Sequence, residues 1–372
     1  MNILFYENLV NPEKGGIQRV THSLAKEFIR RQEKCFVVHS EQDDFKDESA
    51  FTADLYYNGN KKTLESFIAK YKIDVVINQL ARDTDAVKMF RELQQKYSFK
   101  VVSCLHTSPN CTAESCRYFN LQYPKDTLRA VLKRLILCFN RIDIKQMKYA
   151  YDNSDKFILL TPRFIEQTKE LLGVDGSRLM AIYNPASYDK VNSACKKEKM
   201  FLVVSRINEN QKKISKVLDM WRLVQHKLPE WHLYIVGEGN RLPTYIKRAK
   251  ALQLERLHFE GRQDPRPYYE RASVFLMTSI FEGFCMTLLE AQQHGVVPVV
   301  FDTTPCFRDI VESGKDGFLI ERNDDKGYAE AMLNLAQDDE LRRRMAQNAL
   351  VSVQRFKIDN TIEQWYKLFE LL

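Results

Sequence analysis

The chain has 372 residues, of which 44% are hydrophobic and 11% aromatic, and its formal net charge is +7. This length favours two domains, the apolar fraction excludes a disordered chain, and so modest a charge does not indicate a nucleic-acid partner. The sequence has neither a basic leader with a long apolar segment nor a run of about 18 uncharged apolar residues, so we predict neither a signal peptide nor a membrane span.

In the first half of the chain, short β-branched or aromatic runs alternate with helical patterns. The strand-like runs are NILFYE, KCFVVHS, IDVVINQ and FKVVSCLH, and the helical patterns include IQRVTHSLAKEFIRR, KTLESFIAKYK and TDAVKMFRELQQKY. This repetition predicts a parallel sheet that is covered by helices and carries ligands at the carboxyl ends of its strands. We expect it to form a Rossmann-like domain over residues 1–188.

The alternation stops at a polar segment around residues 185–198, which indicates a linker, and then begins again. MFLVVSR, WHLYIVGEG, RLHFEG and SVFLMTS are strand-like, and ISKVLDMWRLVQHKL and LPTYIKRAKALQL are helical. We therefore expect a second doubly wound domain over residues 199–355 that faces the first across a cleft. The tail from Asp338 to Leu372 is helical in pattern, and we expect residues 356–372 to cross back and pack on the first domain.

A basic amphipathic pattern lies between Lys125 and Lys148, where Lys and Arg are mixed with apolar residues at near-helical spacing. This segment could touch an anionic membrane surface, or it could be a solvated helix with one face in the core. The eight cysteines show no CxxC spacing, so we expect most of them to be buried reduced thiols, as in a cytoplasmic protein.

Glycine is scarce, with 13 residues in the chain, so a glycine between a strand and a helix is informative. Gly15 and Gly16 lie between the first strand and the first helix, where glycines let a ligand approach the backbone beside a helix N-terminus. A plain tight turn is the alternative. No GxGxxG fingerprint is present at this point, which argues against an NAD-dependent enzyme.

Cationic and polar residues follow two of the predicted strands. Arg206 ends the first strand of the second domain, and Lys212 and Lys213 follow in the same loop, where they would face the cleft and could hold a diphosphate. His106 stands just beyond a strand of the first domain and could bond a substrate hydroxyl or stabilise a developing charge. Basic pairs in loops and single histidines are also common as structural residues.

The stretch SIFEGFCMTLLEAQQHGVVPVV places two glutamates around a helix start. SVFLMTS predicts a strand, IFEG a turn, and FCMTLLEAQQHG a helix closed by Gly295. Glu282 then precedes the helix, and Glu290 lies about two turns inside it. The amides from Phe284 to Thr287 would form an anion site between them. Eight helical residues rise about 12 Å, which suits a sugar, a diphosphate and a ribose in series. Two ordinary surface glutamates are the alternative.

Residues 200–322 carry several motifs in an order that closely resembles the C-terminal domain of family 4 retaining glycosyltransferases, which have the GT-B fold. The matching stretches are VSRINENQKK, YIVGEGNRLPTYIKRAKALQLERLHFEGR and EGFCMTLLE followed by AQQHGVVPVVF. Two glutamates separated by seven residues are the signature of that family. The first domain resembles it more loosely, through KGGIQRV, HTSP and FILLTPRFIEQTKELLGV.

The resemblance implies a role for each matching residue. Arg206 and Lys212 would bind the donor diphosphate. Glu282 would contact the donor sugar, and Glu290 the ribose. The other implied donor contacts are Gly15, Gly16, His106, Gly261, Arg262, Gln263, Gly283 and the amides of Phe284, Cys285 and Met286. Members of the family need no metal, so no cofactor is expected beyond the nucleoside-diphosphate sugar itself.

The sequence departs from the family pattern at a few positions. Ser205 stands where many members have glycine, and Lys213 beside Lys212 leaves two lysines that could bind phosphate. Arg308 and Asp309 stand where the family often has proline or glutamate. This last change lies near the expected site, so the identity of the donor stays open.

The function implied by the resemblance is the metal-independent transfer of a sugar from a nucleoside diphosphate, expected to be UDP, with retention of configuration. The acceptor would be a saccharide or a lipid-linked saccharide bound mainly by the first domain, in polysaccharide or lipopolysaccharide synthesis at the cytoplasmic face of a membrane. A UDP-sugar epimerase of the same fold is one alternative, although no acid–base groups for the sugar C2 position can be named. A non-catalytic sugar-nucleotide-binding subunit is the other.

Overall fold

The computed structural model describes residues 1–43, 45–117, 141–188, 191 and 195–372. These residues divide into two compact units. The first unit contains residues 1–109, 141–187 and 356–372, and the second contains residues 110–117 together with the described residues of 188–355. The predicted amphipathic segment 125–148 lies outside the described residues as far as residue 140.

The strands of the first unit form one sheet and those of the second unit another. In chain order they are β1 Asn2–Glu7, β2 Lys34–His39, β3 Ala53–Tyr56, β4 Val75–Asn78, β5 Lys100–Leu105, β6 Lys156–Leu159, β7 Leu179–Ala181, β8 Met200–Val204, β9 His232–Val236, β10 Leu257–Gly261, β11 Val274–Met277, β12 Val297–Asp302 and β13 Phe318–Glu321.

Helices connect most consecutive strands. In chain order they are α1 Gly16–Arg30, α2 Lys61–Tyr71, α3 Thr84–Gln94, α4 Cys111–Arg117, α5 Ile142–Asp152, α6 Ile165–Leu172, α7 Ile214–Val224, α8 Leu242–Ala251, α9 Arg266–Arg271, α10 Met286–Gln293, α11 Phe307–Ile310, α12 Asp325–Gln337, α13 Asp339–Ser352 and α14 Ile358–Phe369. Short 3-10 turns cover Pro162–Phe164, Gln225–Lys227 and Val353–Phe356.

The sheet of the first unit is parallel throughout, in the order β3-β2-β1-β4-β5-β6-β7. Its central strands are continuous apolar runs because helices cover both faces, and Ile3, Leu4 and Phe5 of β1 are fully buried. Strand β3 was not predicted, since it lies at the edge of the sheet and alternates between exposed and half-buried residues. The carboxyl ends of β1, β4 and β5 lie side by side at one edge.

The sheet of the second unit is also parallel, in the order β10-β9-β8-β11-β12-β13. Its largest core cluster contains Phe201, Trp221 and Tyr328, so strand β8 is covered by residues of α7 and α12. Two parallel-sheet units flanked by helices confirm the predicted α/β class. Because β8 and β11 are neighbours, the loops that follow them meet at the carboxyl edge of this sheet.

The last helix of the chain packs within the first unit. On α1, Phe28 lies 5.7 Å from Phe369 and 5.9 Å from Tyr366, measured between ring centroids. Arg31 adds an ion pair of 3.0 Å to Asp359. The helical pattern predicted for the tail is confirmed. No helix among the described residues combines the length and the apolar character that a bilayer crossing requires.

Candidate functional site

The loop between β8 and α7 is held in place by a buried carboxylate. Glu209 is 5% exposed, and it accepts hydrogen bonds from the Ser215 hydroxyl at 2.6 Å and the Tyr245 hydroxyl at 2.5 Å. The Lys213 ammonium lies 3.8 Å from the same carboxylate. Glu209 therefore fixes the loop that carries the predicted phosphate-binding residues, a role that the sequence analysis missed.

The neighbouring lysine has a different partner. The Lys212 ammonium lies 2.6 Å from Oε1 of Glu282, and the side-chain amide of Gln211 lies 3.4 Å from Oε2. Burial lowers the pKa of Lys212, but the Glu282 carboxylate outweighs that effect, and the pKa lies above its usual value. Lys212 therefore stays charged. Since Lys213 is turned to Glu209 instead, the structure separates the two lysines and places Lys212 beside the predicted sugar-binding glutamate.

The loops after β8 and β11 are bonded to each other. The Ile280 amide donates to the Gln211 carbonyl oxygen at 2.7 Å. The Thr278 hydroxyl lies 2.9 Å from the carbonyl oxygen of Lys212 and 3.0 Å from that of Lys213. The two loops thus form one unit at the carboxyl edge of the sheet, so a ligand held by Lys212 is also positioned against Glu282.

Helix α10 begins later than the sequence predicted. It starts at Met286 because Cys285 has φ 55, a left-handed conformation that a helical residue does not adopt. The first amides bonded within this turn are those of Leu288 and Leu289, which donate to the Cys285 carbonyl oxygen. Glu290 therefore lies just over one turn inside the helix, and the prediction of two turns was wrong. The helical rise of eight residues consequently does not separate the two glutamates.

The second glutamate lies inside the second unit. Glu290 is 0% exposed, and its Oε2 accepts a hydrogen bond of 3.0 Å from the hydroxyl of Tyr269, which is also fully buried. The His294 ring stacks on Tyr269 at 5.4 Å. A ribose can therefore reach this carboxylate only after the side chains that cover it move.

The remaining predicted donor residues of this unit differ in exposure. Arg206 is exposed just after β8, close enough for its charge to act on Lys212. Arg262 and Gln263 are exposed beyond the end of β10, where Arg262 lies 3.3 Å from Glu238. Gly283, Phe284 and Cys285 are buried in the bend before α10, and Met286 is half-buried. The structure thus places Arg206, Lys212 and Glu282 in one neighbourhood.

The two loop glycines of the first unit lie where the sequence placed them. Gly15 is the N-cap of α1 and Gly16 is its first residue. The φ of Gly15 is −177°, an extended conformation that any residue adopts, so a tight turn does not explain this glycine. A Cβ at Gly15 would lie 2.5 Å from Oε1 of Gln18, which is the movable end of a side chain. Close approach by a ligand remains the prediction for this loop.

His106 lies directly after β5 and is half-buried. Its Nε2 lies 2.6 Å from Oε1 of Gln79. Burial lowers the pKa of His106 to about 4, so the ring is neutral at pH 7. It can therefore act as a hydrogen-bonding group, but it supplies no positive charge for a phosphate.

The Asp83-Thr84-Asp85 triplet caps a helix, and one of the described cysteines is in a disulfide. Asp83, in the triplet Asp83-Thr84-Asp85, caps α3 by accepting hydrogen bonds from the amides of Asp85 and Ala86. No group of three or more His, Cys, Asp or Glu side chains in the described ranges has the arrangement of a metal site. Cys116 is disulfide-bonded. Cys35, Cys104, Cys285 and Cys306 are buried free thiols, as predicted for most of the cysteines, and Cys195 is a half-buried free thiol.

Comparison with known proteins agrees with this architecture. Residues 186–351 match the family model of glycosyl transferases group 1. An uncharacterized glycosyltransferase of Haemophilus influenzae is 29% identical over 61% of this chain and 64% of its own length. The lipopolysaccharide 1,6-galactosyltransferase of Salmonella typhimurium is 29% identical over 40% of this chain and 43% of its own length. The aligned residues thus span less than two thirds of either relative.

A solved structure matches over the whole chain. The crystal structure of Anabaena Alr3699/HepE in complex with UDP-glucose has a TM-score of 0.74 at 16% identity and covers 100% of both chains. The protein is therefore of the GT-B class. Within this fold, the match to glycosyl transferases group 1 covers residues 186–351, which lie almost wholly in the second unit.

Proposed function

We propose that the chain transfers a sugar from a UDP-sugar to a saccharide or lipid-linked saccharide acceptor, with retention of configuration. The observation that carries this proposal is the buried Lys212–Glu282 pair, with exposed Arg206 nearby and the start of α10 just after Glu282. Cations and helix-start amides suit a diphosphate, and a carboxylate suits sugar hydroxyls. The binding of UDP-glucose by Alr3699/HepE supports UDP as the nucleotide.

In the proposed reaction, the bond between sugar C1 and the diphosphate oxygen breaks, and a bond from C1 to the acceptor hydroxyl oxygen forms on the same face. The acceptor proton passes to the leaving phosphate oxygen. Negative charge grows on the diphosphate as the bond breaks, and Arg206 and Lys212 stabilise it without a metal ion. The predicted contacts of Gly15, Gly16 and His106 would add to the binding of the substrates.

Front-face attack is favoured because the groups around Glu282 are poor nucleophiles. Both oxygens of Glu282 have hydrogen-bond partners, Lys212 and Gln211. Burial raises the pKa of the Cys285 thiol to about 12 and that of Cys306 well above its usual value, so both thiols stay protonated. A double displacement through a covalent sugar intermediate would require one of these groups to be released first.

The acceptor side of the proposal rests on the lipopolysaccharide 1,6-galactosyltransferase relative and on the basic pattern at 125–148. We propose peripheral contact with an anionic membrane surface on the cytoplasmic side. Co-sedimentation with vesicles that contain about one third anionic lipid should exceed that with neutral vesicles and fall with salt. Equal sedimentation with both kinds of vesicle would remove the membrane contact and leave the transferase proposal standing.

The test of the proposed function is a donor and product assay. UDP-glucose, UDP-galactose, UDP-N-acetylglucosamine and GDP-mannose are compared by thermal shift, and the best donor is then incubated with and without saccharide acceptors. We expect one UDP-sugar to stabilise the protein and UDP to be released in step with an α-linked product from an α-linked donor. Inverted product would contradict retention. Conversion of the UDP-sugar to its epimer without acceptor would favour the epimerase instead.

A further inference from the structure

A chain of polar side chains crosses the interior of the first unit. Thr21 of α1 lies 3.3 Å from Oε2 of Glu7 at the end of β1, and Gln79, just after β4, lies 3.1 Å from the Thr21 hydroxyl. The Oε1 atom of the same Gln79 amide lies 2.6 Å from Nε2 of His106. Glu7, Thr21 and Gln79 are at most 2% exposed. Four residues distant in sequence therefore meet where β1, β4 and β5 end.

The hydrogen bonds between Glu7, Thr21, Gln79 and His106 run in one direction. The Thr21 hydroxyl has a single proton, and because it accepts from Nε2 of Gln79 it donates to Glu7. Burial raises the pKa of Glu7 well above its usual value. When the carboxyl carries its proton on Oε1, which has no other partner, Oε2 accepts from Thr21 just as it does in the carboxylate. The amide of Gln79 is therefore held with Oε1 toward His106.

This orientation fixes the tautomer of the histidine. A carbonyl oxygen only accepts hydrogen bonds, so the proton of the neutral ring lies on Nε2. The second nitrogen, Nδ1, is then an acceptor, and it is buried without a partner. A buried acceptor without a partner is unfavourable, so a donor that reaches Nδ1 is favoured. The cavity beside this ring is lined by Gln79, Asn184 and Tyr183 as well as by apolar side chains.

We propose that Gln79, held by Thr21 and Glu7, is a positioning residue that keeps His106 in the Nε2-protonated form so that Nδ1 accepts a hydrogen bond from a saccharide hydroxyl. The proposal rests on the proposed function, and it adds the residue that sets the tautomer with which His106 would bind a hydroxyl. A phosphate oxygen that carries no proton cannot donate to Nδ1, so His106 discriminates in favour of a hydroxyl. Because Nδ1 is shielded in this structure, the hydroxyl must displace what covers it.

The tautomer is tested on the whole protein without substrate. In protein labelled with 15N-histidine, NMR correlations between ring protons and nitrogens report which nitrogen carries the proton, and a His106→Asn variant assigns the signals. We expect protonated Nε2 and unprotonated Nδ1. Thr21→Val, which removes the hydroxyl at similar volume, and Gln79→Leu should give a mixture of tautomers, whereas Thr21→Ser should keep the Nε2 form. A ring protonated at Nδ1, or unchanged by Gln79→Leu, would overturn the proposal.

Calorimetry and kinetics with UDP, the UDP-sugar and the acceptor test which substrate carries the hydroxyl that binds Nδ1 of His106. If it belongs to the donor sugar, Gln79→Leu should weaken UDP-sugar binding about 10-fold and leave UDP binding unchanged. If it belongs to the acceptor, the acceptor KM should rise about 10-fold with little change in donor affinity. Equal weakening of UDP and UDP-sugar, or no change in any of these, would overturn the proposal. A wild-type protein that binds no UDP-sugar would contradict the proposed function and the saccharide hydroxyl. The NMR experiment would still measure the tautomer of His106.

Discussion

Each unit contains a buried polar group of residues, and the two groups differ in charge. The second unit has the Lys212–Glu282 pair, and the first unit has the hydrogen-bonded chain Glu7–Thr21–Gln79–His106. In the pair, the Lys212 ammonium lies 2.6 Å from a Glu282 oxygen, and this contact holds the pKa of Lys212 above its usual value. In the hydrogen-bonded chain, Thr21 and Gln79 are neutral, and burial lowers the pKa of His106 to about 4. The cation of the pair suits a diphosphate and the neutral acceptor of His106 suits a hydroxyl, so substitutions in the two places should have different effects.

Removing the lysine of the pair should have the largest effect. Lys212→Ala leaves the Glu282 carboxylate buried without its cation, which destabilises a fold by about 3 to 5 kcal/mol. We also expect kcat to fall at least about 100-fold, the size of effect seen when one stabilising donor is lost. Urea unfolding and steady-state kinetics measure the two effects.

The matched control for that variant is Lys213→Ala. Its carboxylate partner, Glu209, keeps the hydrogen bonds from Ser215 and Tyr245, so the expected loss of stability is about 1 kcal/mol. A larger loss for Lys213→Ala than for Lys212→Ala would mean that the assignment of the two lysines is reversed.

The acid dependence of stability should separate the neutral histidine from the charged pair. The pKa of His106 in the folded chain is about 4, below the ordinary value of about 6.5 expected for the unfolded chain. Between these pH values the unfolded chain binds a proton that the folded chain does not, so stability falls as pH is lowered from 6.5 to 4. His106→Asn should reduce this slope in urea titrations at pH 7 and pH 5. The same slope in both proteins would show that folding does not lower the pKa of His106.

The burial of Glu290 provides a narrower test of the ribose prediction. If Glu290 becomes available to the nucleotide, UDP should bind about 10-fold more tightly than 2′-deoxy-UDP, since the deoxy nucleotide lacks one hydrogen bond to Glu290. Tyr269→Phe, which removes the hydroxyl bonded to Glu290, should change that ratio. Equal affinity for the two nucleotides in the wild-type protein would show that Glu290 does not bind the ribose and only packs in the core.

The smallest expected effect concerns the residue before α10. Cys285 has a left-handed conformation, which disfavours any side chain by about 1 to 2 kcal/mol relative to glycine. Cys285→Gly should therefore be more stable than Cys285→Ala by about 1 kcal/mol in thermal or urea unfolding. An alanine variant of equal or greater stability would indicate that this conformation is not strained.

Much of the fold follows from the sequence because buried parallel strands are continuous apolar runs and the helices between them are periodic. The edge strand β3 was not predicted, because it is neither a continuous apolar run nor a helical repeat. The start of α10 was predicted wrongly because it is set by the left-handed backbone of Cys285, and a cysteine does not indicate that conformation in a sequence. Predicted members of the site such as Arg206, Lys212 and Glu282 stand in recognisable motifs.

The supporting residues had no such signal. Glu209 is one polar residue in a polar loop, and its partner Tyr245 lies 36 residues further along the chain. Gln79 is separated by 27 residues from His106 and by 58 from Thr21. Such contacts depend on how strands are ordered in the sheet, and a single sequence does not contain that order explicitly. They therefore became visible only in the structure.

The most direct test of the account is a calorimetric titration of the wild-type protein and of Lys212→Ala with UDP in the presence of EDTA. If Arg206 and Lys212 hold the diphosphate without a metal, UDP should bind the wild-type protein in EDTA, and the variant should bind at least about 10-fold more weakly. Circular dichroism of the variant confirms that it is folded under the same conditions. UDP binding that requires a divalent metal, or that is unchanged in the folded variant, would contradict the account.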